Sequence, residues 1–140
     1  MSRRRARKQA FLVLYQSDIN GGTVETMFER WRSHRKDLED YALWLAREVE
    51  REKENLDGLL SDVSVGWPVH RMSAVDRAIL RLALYEMLFV EDVPSGVAVN
   101  EAVELAKGFS GEEAPAFVGG VLRGAEGKAY GNRVSHDQRG

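Results

Sequence analysis

Apolar residues recur at helical spacing along almost the whole chain. Phe11, Leu14 and Tyr15 stand at i, i+3 and i+4, which predicts a first helix over about residues 3–18. Asn20-Gly21-Gly22 stops it. Thr23 is placed to cap a short second helix whose apolar face is Val24, Met27, Phe28 and Trp31. A long third segment runs from about Asp37 to Val63. Its Leu38, Tyr41, Leu45, Val49, Leu56, Leu59 and Leu60 form a stripe suited to a core, and the charge-dense Glu48–Glu54 stretch reads as a solvated face. Gly66-Trp67-Pro68 breaks the chain. Ser73, with Asp76 three residues on, resembles a capping box for a helix reaching about Val90. That helix is apolar nearly all round (Val75, Ile79, Leu80, Leu82, Leu84, Met87, Leu88), so it is expected at the centre. After Pro94, a further helix is expected from about Val97 to Lys107, ending at Gly108. A second capping signal at Ser110 and Glu113 opens a last helix over about Glu113–Ala125. Val63-Ser64-Val65 is too short for a strand and Val97–Val99 fits a helix start. The pattern therefore predicts an all-α bundle without internal repeats.

At 140 residues the chain suits one domain over residues 1–126, large enough to fold without a metal or disulfide staple. Residues 127–140 have little to bury and are expected to form a disordered tail. No cysteine is present, which removes thiolate zinc sites and thiol nucleophiles and is compatible with a reducing cytoplasm. No apolar run approaches the ~20 residues of a membrane span. The basic start lacks a signal-peptide cleavage site, and Asp18, Asn20, Gly21 and Gly22 cut the first helix short for a membrane-surface helix.

Charge changes the picture at the N-terminus. Arg3, Arg4, Arg5, Arg7 and Lys8 carry five positive charges; the remainder holds 15 Lys+Arg against 22 Asp+Glu, near −7. A basic arm (residues 1–8) on an anionic body points at a polyanion such as RNA or DNA. Arg3 with Arg7, and Arg4 with Lys8, are like-charge pairs at i, i+4, and phosphate would reverse their mutual cost. Tyr15 and Gln16 are placed to add a stacking or hydrogen-bonding contact, although Tyr15 also suits the core. The alternative is a solvated, frayed end that serves solubility. If three or four cations each neutralise a phosphate of single-stranded RNA, log K falls with log salt with a slope of about −2 to −3.

Catalysis finds little support. His34, His70 and His136 are scattered without metal-ligand spacing, and no pair of carboxylates is isolated in an apolar setting. No catalytic residue, metal or cofactor is expected. Glu86 stands out in its apolar helix. Either it pairs with Arg77 or Arg81, or lies on the helix's exposed edge, or it marks an edge used by a partner protein. Gly119-Gly120 inside a helical pattern signals close approach of a neighbouring helix or a ligand.

The order of these motifs resembles the NusB family of bacterial antitermination factors. RRRARKQAFLVLYQ is similar to the family's opening helix, VDRAILRLALYEM to its central helix, and DVPSGVAVNEAVELAKGFS to its best-marked block. FVGGVL is similar to the closing F-V-N-G-V-L, and the likeness covers about residues 3–125. The resemblance implies about seven helices in two packed sub-bundles. It implies a non-catalytic RNA-binding adaptor that, with the ribosomal protein NusE, binds the boxA element of ribosomal RNA leader transcripts within the RNA polymerase antitermination complex. It places Arg3, Arg4, Arg5 and Arg7 on RNA, with Tyr15 and Gln16 nearby, and Glu86 on the face that meets NusE. Two positions depart from the family: Gly119 replaces asparagine and Arg123 replaces aspartate. Arg123 is expected either to strengthen RNA binding or to be a neutral surface change. NusB-like domains also front ribosomal-RNA cytosine methyltransferases. A chain ending at Gly140 without cysteine is not expected to be such an enzyme alone, which leaves an accessory role in RNA modification. A protein-interaction module with an incidental basic arm is the other alternative; the sequence leaves the oligomeric state open, with a homodimer that masks the RNA face as one option.

Overall fold

A computed structural model describes residues 2–35, 37–64 and 66–139, with side chains described as far as Gly127. Seven α-helices and one 3-10 turn follow one another, with no strand among the described residues. They are α1 (Arg3–Asn20), α2 (Val24–Arg32), α3 (Asp40–Arg51), α4 (Lys53–Val63), the turn Val69–Arg71, α5 (Ala74–Phe89), α6 (Ser95–Phe109) and α7 (Ala114–Arg139).

Local signals set several ends. Ser2 accepts from the Arg5 amide to cap α1, and Gly21 closes the helix in the left-handed region at φ 72°. Thr23 caps α2 and Ser73 caps α5 through the amides of Thr26 and Asp76. Other boundaries differ from the pattern. The third segment is two helices, because Glu52 leaves helical geometry (φ −94°, ψ 8°) and separates α4 from α3. α6 continues through Gly108, and Ser110 does not cap α7; its hydroxyl meets Asp76 Oδ1 at 2.8 Å and ties the end of α6 to the start of α5. The backbone of α7 stays helical beyond Ala125 to Arg139. The side chains of the expected tail from Lys128 onward lie outside the described residues.

α1, α2 and α3 pack on one another, as α4, α6 and α7 gather around α5. The near-continuous apolar surface of α5 explains its place: it packs against α1, α3, α4, α6 and α7. Ile79, Leu80, Leu82, Leu84 and Met87 of α5 are fully buried with Phe11, Phe28, Leu45, Leu56, Leu60 and Leu122. Burial of this kind supplies the dominant folding force, roughly 1.5–3 kcal/mol for each large side chain. The core reaches further toward the N-terminus than the arm-and-body reading allows. Ala6 is 0% exposed, and the cationic residues are the first two turns of α1 rather than an appendage.

Candidate nucleic-acid interface

The five cations of α1 separate into distinct environments. Arg7 is buried: its side chain is 6% exposed and its Nε donates to both oxygens of Glu86, at 2.7 and 3.0 Å. Glu86, 1% exposed, also accepts from the Tyr41 hydroxyl at 2.7 Å. Burial, reinforced by that carboxylate, pushes the Tyr41 phenol well above its usual range. This triad joins α1, α3 and α5 beneath the surface, so neither Arg7 nor Glu86 offers its charge to solvent. The expected partners of Glu86 go elsewhere: Arg77 bonds Asp18 at 2.9 Å and Arg81 bonds Asp57 at 2.7 Å. Glu86 is on no exposed edge. Its neighbour Tyr85 is buried as well, and the exposed Phe89 follows three residues on.

The other three arginines face outward, each held by a carboxylate from a distant part of the chain. Arg3 grips Asp92 with both terminal nitrogens at 3.1 and 3.0 Å, and its guanidinium lies 4.6 Å from the centre of the Tyr41 ring. Arg4 grips Glu101 through Nε and Nη2 at 3.2 and 3.0 Å while its side chain stays 78% exposed. Arg5 reaches Asp37 at 2.6 Å. Arg35 and Arg5 together hold the Asp37 carboxyl down at about 2, and Arg3 lowers that of Asp92. Lys8 has no ion pair among the described residues; its ammonium lies 5.6 Å from the Phe109 ring. Arg4, Arg5 and Lys8 line a groove of about 480 Å³ with Glu101, Leu105 and Phe109. Phe109 is there because α6 runs two residues past its expected end; it also packs on Phe11, ring centres 5.1 Å apart.

Tyr15 and Gln16 are half-buried. Tyr15 stacks on Phe11 at 6.2 Å, and the Gln16 side-chain oxygen accepts from the Trp31 indole at 2.9 Å. Arg123 is exposed on α7 and makes no hydrogen bond or ion pair among the described residues. Its Nη1 lies 3.2 Å from where a Gly119 side chain would begin, with Val103 of α6 at 3.4 Å. The two departures are therefore neighbours: the missing side chain at Gly119 makes room for the guanidinium of Arg123. Gly119 answers the expectation of a close helix, whereas Gly120 faces open space.

Several participants escaped the pattern. Asp92, Glu101 and Asp37 carry no local signal, being ordinary carboxylates in loops or on a helix face. Gln9 is also buried. Its amide donates to the Asp37 carbonyl at 3.0 Å and accepts from the Glu39 amide at 2.9 Å, fixing the loop that carries Asp37. A run of aromatic rings borders Arg3: Tyr41, Trp44, Tyr85 and Phe89 follow one another at 5.6, 5.9 and 4.8 Å, with Trp44 and Phe89 exposed and Tyr85 buried. No group of three or more metal-binding side chains gathers among the described residues, and no described helix is long and apolar enough to cross a membrane.

The profile of the NusB family matches residues 4–126. Transcription antitermination protein NusB of Rubrobacter xylanophilus is 71% identical over 131 residues, covering 94% of each chain. That of Thermobifida fusca is 39% identical over 122 residues, 86% of each. Among solved structures, NusB of T. maritima superposes with a TM-score of 0.81 at 32% identity, covering 90% of this chain and 91% of that one. A crystal structure of antitermination factors NusB and NusE in complex with double-stranded RNA gives 0.79 at 30% identity, covering 91% and 99%.

Proposed function

Because the chain belongs to the NusB family, we propose that it is a non-catalytic transcription antitermination factor that binds boxA-type RNA of nascent ribosomal transcripts together with NusE. The observation that carries this reading is the exposed edge of α1. Arg4, Arg5 and Lys8 present cations along a groove of about 480 Å³, and Arg3 stands beside it against Asp92 and Tyr41. Arginine suits this task, since its planar fork binds phosphate bidentately and stacks on bases. The joint structure of NusB and NusE with RNA, whose NusB fold this chain shares, supports both partners.

Residue roles follow from position. Arg3, Arg4, Arg5 and Lys8 contact phosphate. Tyr15 and Gln16, held by Phe11 and Trp31, line the continuation of α1. Arg7 acts from below, holding α1 against α5 through Glu86, and Glu86 supports rather than touches the protein-binding face. The exposed rings of Trp44 and Phe89 suit a partner that brings apolar groups. Arg123 adds a cation on α7 with no ion pair among the described residues. Such a factor works on transcripts in the cytoplasm and needs no cofactor.

Titration of labelled boxA RNA with and without NusE tests the reading. Arg4→Gln with Arg5→Gln is expected to weaken binding about tenfold or more and to flatten the log K against log salt slope by about 0.7 per lost contact. Binding that ignores both the substitutions and salt would remove the RNA role of α1.

A further inference from the structure

The outward arginines look like a strong polycation only until their partners are counted. The first two turns of α1 bring five positive charges, and Asp92, Glu101, Asp37 and Glu86 answer four of them. Lys8 alone lacks a carboxylate among the described residues. Three of these carboxylates meet arginines that face solvent, where a phosphate would arrive: the exposed Asp92 from the loop before α6, Glu101 of α6, itself 17% exposed, and Asp37 from the loop before α3, which it shares with Arg35. Two bind in the paired-oxygen geometry in which arginine binds phosphate.

Resting on the RNA-binding reading, we propose that Asp92, Glu101 and Asp37 are specificity-determining residues. They occupy the guanidinium groups of Arg3, Arg4 and Arg5 as a built-in polyanion, so a nucleic acid binds only if it adds contacts beyond its phosphates. Non-specific binding of nucleic acid is essentially all electrostatic. Each phosphate must either displace a carboxylate or approach a guanidinium already shared with one, and in both cases the gain is reduced. RNA that also stacks and hydrogen-bonds through its bases retains those terms. The arrangement lowers affinity for arbitrary polyanions into the range that ordinary salt defeats.

A competing effect runs the other way, because a carboxylate that fixes an arginine also spares it ordering entropy. Arg4 decides between them. It remains 78% exposed, so its pairing does little to confine approach, whereas Glu101 stays within bonding distance of two of its nitrogens. Competition therefore dominates.

The test uses the full chain, single-stranded oligouridine as the arbitrary polyanion and boxA RNA as the specific one, across a salt series. Glu101→Gln and Asp92→Asn keep shape and remove charge. Each is expected to tighten oligouridine binding about two- to fivefold, the range of one exposed ion pair, and the double variant about tenfold. The salt slope steepens by up to about 0.7 per freed arginine. In an Arg4→Gln background the gain from Glu101→Gln disappears. Affinity for oligouridine that is unchanged or weaker in both single variants overturns the proposal, as does a Glu101→Gln gain that persists without Arg4. Asp92 is 70% exposed in a loop, so its variant reads out independently of any effect on α6. Failure of the wild-type chain to bind boxA RNA would instead sink the reading beneath; wild-type binding with unresponsive variants sinks this inference alone.

Discussion

Arg7 and Lys8 are adjacent cations with opposite fates. Lys8 stands in solvent, while Arg7 enters the core because helix geometry turns it toward Glu86 of α5 and Tyr41 of α3. Removing one member of a buried pair leaves a stranded charge, so Arg7→Met is expected to cost about 3–5 kcal/mol, read as a lower urea midpoint at unchanged m-value. Combining it with Glu86→Leu should recover most of that loss. A loss below about 1 kcal/mol for Arg7→Met would show the triad to be loosely held. Asp37 makes a pH prediction. Its folded pKa of about 2 lies below the unfolded value of about 3.9, so its contribution is present above about pH 4 and disappears as pH falls toward 2. Asp37→Asn should melt earlier than wild type at pH 6, and the gap should close near pH 2. The arginine run was plain in the sequence, and so was the oddity of Glu86 in an apolar helix. Their partners were not, because Arg3 and Asp92 stand 89 residues apart, Arg4 and Glu101 97, and Arg7 and Glu86 79. Periodicity reports which side of a helix is buried, not what waits across from it.

At the level of elements, the capping residues Thr23 and Ser73 and the stop at Gly21 were legible because each acts over three or four residues. The break at Glu52 was not, since no glycine or proline marks it and Val49 and Leu56 keep a two-turn helical spacing across it. Gly108 misled in the opposite sense: packing of Phe109 on Phe11 carries α6 past a residue that often ends a helix. The glycine pair of α7 divides in the same way. Gly120 has open space where a side chain would go, so Gly120→Ala should raise stability by about 0.5–1 kcal/mol. Gly119→Ala should gain less, because the Arg123 head must shift and Val103 is close. Chemical denaturation of the two variants compares them directly, and equal gains would mean that Arg123 does not rest there.

For the whole molecule, the bundle and its central α5 could be read from hydrophobic pattern alone, because one helix was apolar on nearly every side. The division into a basic arm and an independent body could not survive burial of Ala6 and Arg7. Deleting residues 1–8 is therefore expected to abolish cooperative thermal unfolding by near-UV circular dichroism, whereas Arg4→Gln with Arg5→Gln should melt within a few degrees of wild type. A truncated chain that unfolds as sharply as the intact one would restore the arm as a separable unit. The counter-charges of α1 arrive from loops and helices far along the chain, and this bears on any attempt to use α1 by itself. A synthetic peptide copying its twenty leading residues would lose every acidic neighbour at once, fray, and adhere to heparin or DNA as readily as to its proper transcript. It would make a poor decoy inhibitor, and a selective one must imitate the surface that α1 shares with α6.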